Sequence, residues 1–505
     1  MRLKKIIYNI VFGFGGQLII LALGMIIPRL ILVSFGSEMN GLLVTITQIF
    51  TYLALLEAGI GNATVNELYK PIVDNNREGI INVLSTTNKY YKKISIYYLL
   101  AVFVFAIFYP IIVKTEINKE IIFLVIILQG IPGVMNFYFI STYKQILIAE
   151  GKNYIISNIT LIIYVLTSII KIIIINNGAD IIMVQLAYFI LALIQIIIFK
   201  LYCRSKYGWI KFKKTIDISI LYQRNAFLVH EISALIFSNT DVFILSLFCD
   251  LKTASIYAVY NIVFIALNQI IGVVNNSIVF VLGQIYHQDK SKYIKIHDIY
   301  DSYYVSFVFC LMSVAYMLIN EFVKLYTQGV GDINYIDKYL PVLFCIIQLL
   351  SCSRAVSARL ITISGHAEKT KNRSIIEAII NIMASVILVN IIGIYGVLIG
   401  TIIALIFRMN DIIIYANKKV LHRSSKKTYK NIFINIIIFI IFMNIKSKVN
   451  INIGSYFEFI IYGLIITILV GIIYFIIASI INKSEIKNIF YILKNKKIKL
   501  TNQTS

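Results

Sequence analysis

Seven basic residues interrupt stretches that are otherwise apolar: Arg29, Lys144, Lys171, Arg224, Arg354, Arg359 and Arg408. Arginine meets phosphate with a planar two-pronged fork and lysine with a compact point charge, so such a set suits an anionic ligand. Clear acidic residues in the same surroundings are fewer. Glu57 lies in "LALLEAGIGNATV", with Gly61 and Thr64 on its face at helical spacing. The densest polar pattern is "RNAFLVHEISALIFSNTDVFIL". There Arg224, Glu231 and Ser238 recur every seven residues, while His230, Ser233 and Asp241 share an adjoining face. Asn261, Asn268 and Asn275 also recur at sevens, with Tyr257 one turn earlier. The sequence holds no nucleotide-binding loop, metal-ligand cluster or nucleophile triad, so no cofactor, metal or catalytic residue is expected.

Plainer readings stand beside these. A charge at the centre of a membrane span costs roughly 2.5–3.5 kcal/mol on insertion scales, so Glu57 either bolts two helices together or lines a polar cavity. Arg224 is near enough to a span edge to snorkel, and Asp241 is near enough to the other edge to reach water. The asparagine row suits interhelical hydrogen bonds and sugar hydroxyls alike. Arg408 and Asp411, three apart, read as a structural pair. Arg29 follows Pro28, which can kink a helix and free backbone groups.

The elements that hold these residues are set by composition. Of 505 residues 59% are hydrophobic and 14% charged, against about 45–50% and about 25% in soluble domains. The excess falls in blocks long enough to cross a hydrocarbon core of ~30 Å. Fourteen spans are predicted, at 7–34, 42–68, 94–113, 121–149, 154–175, 181–202, 223–248, 253–284, 300–326, 338–364, 373–392, 394–416, 430–446 and 456–482. The first block is too long for a signal-peptide core and is expected to remain as a span. The net charge of +23 sits in short clusters between blocks, such as "KYYKK" and "NKKVLHRSSKKTYK". That placement fixes topology or meets anionic lipid and argues against nucleic acid. With both ends in the cytoplasm, the inner segments hold 33 of 47 Lys and Arg and the outer loops 7. Five scattered cysteines without a CxxC read as inert buried thiols.

The chain also repeats itself. "ILVSF" (31–35) recurs as "ILSLF" (244–248), "IGNATV" (60–65) as "VNNSIV" (274–279), and "LIAEGK" (147–152) as "ITISGH" (361–366), at offsets of 213 and 214. Two parallel halves are expected, 1–205 and 206–420, with a site between them near the midplane. Residues 421–505 would add two peripheral helices and a basic cytoplasmic tail. The expected fold is therefore all-α, with two pseudo-symmetric six-helix bundles around a central cavity. No outer loop exceeds about fifteen residues, which leaves little room for the catalytic loops of membrane glycosyltransferases.

The stretch "LVSFGSEMNGLLVTITQIFTYLALLEAGIGNATVNELYKPI" (32–72) resembles the opening of bacterial polysaccharide exporters, the O-antigen and capsule flippases of the multidrug/oligosaccharidyl-lipid/polysaccharide (MOP) superfamily. "FSNTDVFILSLF" followed by "ASIYAVYNIV" is similar to the matching second-half feature, and the resemblance reaches about residue 420. It implies a non-enzymatic flippase that turns an undecaprenyl-pyrophosphate-linked oligosaccharide from the inner to the outer leaflet of the bacterial cytoplasmic membrane. Arg29, Lys144, Arg224, Arg354 and Arg359 are then the candidates for the pyrophosphate. Glu57, His230, Glu231, Asp241, Asn261, Asn268 and Asn275 are the polar or coupling candidates. The implied partners are the lipid-linked oligosaccharide, membrane lipid and, as a further candidate, a polysaccharide polymerase, with the chain acting as a monomer. Glu57 and Arg29 align with Ile271 and Phe243, so the polar sites are not symmetric. The alternatives are a cation-coupled drug exporter of the same superfamily and, further off, a membrane glycosyltransferase or polymerase.

Overall fold

A computed structural model describes residues 2–57, 60–213, 240–449, 452–481 and 483. Among the described residues the regular structure is helical, without strands, and twelve helices are long and apolar enough to cross a membrane. Lipid offers no partner for backbone polar groups, so a chain this apolar must satisfy them within its own helices. The protein is an all-helical, multi-pass membrane protein.

The chain divides into two compact units. The first comprises residues 1–258 with 329–333. It contains α1 (Arg2–Leu53), a 3-10 turn (Ala54–Glu57), α2 (Ile60–Val73), α3 (Arg77–Ile112), α4 (Lys119–Phe139), α5 (Ser141–Ala149), α6 (Asn153–Asn176), α7 (Ile181–Tyr207) and α8 (240–248), and it includes the start of α9 (Leu251–Gln288). Short polar side chains set the helix starts: Asn76, Asn118 and Asp180 accept from Gly79, Glu120 and Met183 N–H at 2.9, 2.9 and 3.0 Å. Leu42 and Ile46 of α1, Val125 and Ile126 of α4, Val184 of α7 and Leu251 of α9 close one core.

The second unit comprises 259–328 with 334–505. It continues α9 and adds α10 (Lys290–Tyr326), α11 (Leu340–Ser353), α12 (Ala355–Ile363), α13 (Ala367–Ile392), α14 (Ile394–Tyr415), a π turn (Ala416–Val420), α15 (Lys426–Lys448) and α16 (Tyr456–Ile481). α13 and α14 pack so closely that a Cβ on Gly400 would lie 2.5 Å from the Ser385 backbone nitrogen. Glycine is required there by contact.

Several span boundaries differ from expectation. The expected loop between the first two spans is a single-residue break at Gly36 (φ 81°, ψ 176°), after which α1 continues to Leu53. The "KYYKK" cluster, read as lying between blocks, sits within α3, whose start at Arg77 precedes the expected span by seventeen residues. α10 likewise begins ten residues before the expected 300. Both helices open on polar turns that an apolar window discards. Most of the expected seventh span, with Arg224, His230 and Glu231, lies outside the described residues.

The fourth and tenth expected spans are broken, and broken alike. α4 gives way to α5 at Ile140, and α11 to α12 at Arg354, 214 residues later. α5 and α12 are nine residues each. Each ends on a glycine in the left-handed region, Gly151 (φ 70°) and Gly365 (φ 74°). The following N–H reaches back to close the turn, Lys152 to Leu147 C=O at 2.8 Å and His366 to Ile361 C=O at 3.0 Å.

Candidate functional site

In the first unit the breaks in two helices bring together residues that the sequence lists apart. The 3-10 turn ends on Glu57, and α5 begins where α4 stops, so Lys144 points back along α4. The Tyr91 hydroxyl of α3 donates to Glu57 Oε1 at 2.6 Å, and Gln145 Nε2 of α5 donates to that hydroxyl at 2.8 Å. Lys144 Nζ donates to Asn136 Oδ1 of α4 at 3.2 Å and lies within electrostatic reach of Glu57. Tyr91 is fully buried and stacks on Phe137. Gly61 gives Gln145 its place: a Cβ there would sit 3.2 Å from Gln145 Nε2. One turn on, Thr64 and Thr87 hydroxyls meet at 2.9 Å. A carboxylate, a phenol, an amide and an amine are thereby linked inside apolar helices.

Asp241 forms a second buried polar point in this unit. It lies in α8, is 8% exposed, and accepts from the Tyr257 hydroxyl of α9 at 2.9 Å. Its neighbour Thr240 accepts from the Tyr52 hydroxyl at 2.8 Å. The notion that Asp241 reaches water is therefore corrected. Arg29 is half-buried on α1.

The second unit answers its own helix break with a network of charges. Arg354, at the junction of α11 and α12, donates to Glu377 Oε1 of α13 at 2.6 Å. Arg408 Nε lies 3.3 Å from Glu377 Oε2, and its Nη1 donates to Asp411 Oδ2 at 2.7 Å. Arg373 also pairs with Asp411, and Ser374 accepts from Arg408 Nη2 at 2.8 Å. Three guanidiniums thus share two carboxylates. The Arg408–Asp411 pair forms as its spacing predicts, and Arg354 is ion-paired. Arg359, one helical turn into α12, is half-buried and within electrostatic reach of Tyr300 and Tyr304 of α10. Tyr300 donates to Asn275 Oδ1 at 3.2 Å. The asparagine row does not act as one face: Asn261 is half-buried, Asn268 is exposed, and Cys352 Sγ lies 3.9 Å from the Asn268 carbonyl.

Sequence reasoning missed Glu377, Tyr91 and Gln145. Glu377 was legible as an acid within the predicted span 373–392. Tyr91 was hidden in a basic cluster, and Gln145 differs in nothing from other polar residues beside a span.

No protein-family model matches the sequence, and no curated protein matches it. Solved structures do share its fold. Lipid II flippase MurJ, in an inward closed conformation, has a TM-score of 0.68 at 15% identity, covering 94% of this chain and 100% of that one. An inward-facing multidrug resistance MATE transporter of the MOP superfamily has a TM-score of 0.60 at 15% identity, over 81% of this chain and 96% of its own. The Vibrio cholerae MATE transporter VcmN, in a mutant form, has 0.54 at 14%, over 81% and 95%. The chain has the fold of MOP-superfamily transporters.

Proposed function

We propose that the protein is a flippase for polyprenyl-pyrophosphate-linked oligosaccharides, moving them from the inner to the outer leaflet of a bacterial cytoplasmic membrane for surface polysaccharide synthesis. The observation that carries this reading is coverage. The lipid II flippase structure covers 94% of this chain, whereas the multidrug transporters cover 81–85%.

The candidate cations support the same reading. Arg29, Lys144, Arg224, Arg354 and Arg359 are the groups to meet a pyrophosphate, and one of them, Arg354, has a carboxylate as placeholder. Glu377 holds Arg354, while Lys144 rests on the Asn136 amide with Glu57 within electrostatic reach. A carboxylate offsets a buried cation while substrate is away and is displaced by an anion with more acceptor oxygens. Moving an anion outward across an inside-negative membrane is favourable by ~2.3 kcal/mol per charge per 100 mV, so the pyrophosphate contributes to its own export. The chain is read as a monomer with both ends in the cytoplasm.

The test is reconstitution. Proteoliposomes holding the full chain should flip a lipid-linked pyrophosphate oligosaccharide, and Arg359→Ala or Arg29→Ala should abolish flipping while membrane insertion persists. Full flipping by a variant lacking all five cations would overturn the anion role. Efflux of cationic dyes without flipping would favour the drug-exporter reading.

A further inference from the structure

A second buried titratable cluster lies in the second unit, on α10. Tyr293, His297 and Asp301 follow one face of α10 at four-residue steps. Their relative exposures are 1%, 1% and 2%. The Tyr293 hydroxyl, both ring nitrogens of His297 and Asp301 Oδ1 have no hydrogen-bond partner among the described residues. Buried polar atoms are nearly always satisfied, so four on one face of one helix mark a place where something else binds.

The surroundings narrow what that is. Asp298, next to His297, is saturated: Arg423 Nη2 and Lys427 Nζ of the α14–α15 connection and α15 reach its two oxygens at 2.6 and 2.9 Å. His297 Nδ1 stands 3.6 Å from Asp298 Oδ1, too far for a hydrogen bond. Asp301 has the Asn431 side chain of α15 close by and no ion pair among the described residues. One turn further in, Ser302, Ser306, Asn431 and Asn435 line a cavity of about 10 Å³, room for a single water. From the other neighbours, α9 offers Tyr286 against Tyr293, α12 offers Arg359 near Tyr300 and Tyr304, and α16 has one charged residue in its described length, Glu458, near its start.

The charges balance in one state only. With His297 neutral and Asp301 ionised, two carboxylates match Arg423 and Lys427. With a proton on Asp301, the seam holds one surplus positive charge. We propose that His297 and Asp301 form a proton-exchange site on the seam between α10 and α15, with the small cavity lined by Ser302, Ser306, Asn431 and Asn435 beside it. One proton passes between the Asp301 carboxyl, the His297 imidazole and water, and no other bond changes. Its use as a coupling ion rests on the transporter reading; the site itself does not.

Infrared difference spectra of the full chain in lipid nanodiscs, recorded across about pH 5 to 8, test the site without any substrate. The expected result is a protonated-carboxyl band that titrates in this window, disappears in Asp301→Asn and shifts in frequency in Asp301→Glu. His297→Gln should move its midpoint by about one pH unit. A band unchanged in both Asp301 variants, or no titrating band in the parent chain, overturns the proposal. In proteoliposomes, a pH gradient should speed flipping of a lipid-linked pyrophosphate oligosaccharide by the parent chain and leave Asp301→Asn unaffected. Absence of flipping by the parent chain would sink the flippase reading while the spectra decide the proton site.

Discussion

The α4–α5 break and the α11–α12 break share a backbone and differ in their charges. Both deliver a nine-residue helix closed by a left-handed glycine. The first places Lys144 against a neutral amide, with Glu57 engaged by a phenol. The second places Arg354 in direct contact with a carboxylate that a further arginine also holds. A cation held by an amide is easier to recruit than one held by a buried carboxylate, because the amide forfeits only a modest hydrogen bond. The comparison teaches that the same turn can present a loosely held cation in one unit and a cation held firmly by a carboxylate in the other.

The largest effect should come from removing the anchor. Glu377→Ala removes the carboxylate that Arg354 and Arg408 share, and breaking a buried ion pair costs about 3–5 kcal/mol. Thermal unfolding of the purified protein should fall sharply, with Glu377→Gln less affected. Lys144→Met should show the reverse pattern, since an apolar side chain of similar length removes one hydrogen bond worth about 1 kcal/mol. Its stability should stay close to the parent while flipping is lost. If both variants unfold equally, the contrast between the two breaks is wrong.

Much of this was readable before any coordinates. Long apolar runs fixed most helix positions, because lipid leaves few other states; α6, α7 and α14 start within a residue of their expected places. The recurrence of Gly151 as Gly365 marked the matching span exits, but nothing in the sequence pointed to the breaks a nine-residue helix before them. Partners were harder. Glu377 meets Arg354 only because α13 packs where it does, and a span rule ranks residues along one helix without saying which helices touch. Asp298 escaped for a local reason, the polar opening turns of α10 that hid its true start, while Asp301 read as an acid at the edge of the expected span 300–326.

A smaller prediction sharpens the backbone half of the comparison. Nothing lies within 4 Å of a Cβ built on Gly151 or Gly365, so an alanine at either meets only the strain of its left-handed φ. Gly151→Ala and Gly365→Ala should each destabilise by about 1 kcal/mol, and by similar amounts. Unequal losses in thermal unfolding would show that the two turns, alike in dihedrals, bear different loads.

The smallest effect concerns how two helices that correspond at the 214-residue offset begin. α9 starts after Asp250, which caps it from within the sequence by accepting from Thr253 N–H at 2.6 Å. The matching point in α1 is Gly36, which has no side chain to offer. There the cap comes from far along the chain: Asp332 accepts the Ser37 N–H at 2.9 Å and its hydroxyl at 2.7 Å. Partial burial pushes the Asp332 carboxyl upward, but the Ser37 bonds outweigh it and hold the group below the usual carboxylate range. A depressed value means the ionised form is favoured in the folded state, so this contribution is complete above about pH 4 and fades as pH falls further. Asp332 is mostly open to solvent, so Asp332→Asn should cost under about 1 kcal/mol at neutral pH, and that loss should shrink under acid conditions. Asp250→Asn keeps an oxygen that can cap its own helix and should cost less, because its reach to Thr253 needs no second segment. Equal losses would mean that a cap borrowed from a distant loop holds α1 no more firmly than a local one holds α9.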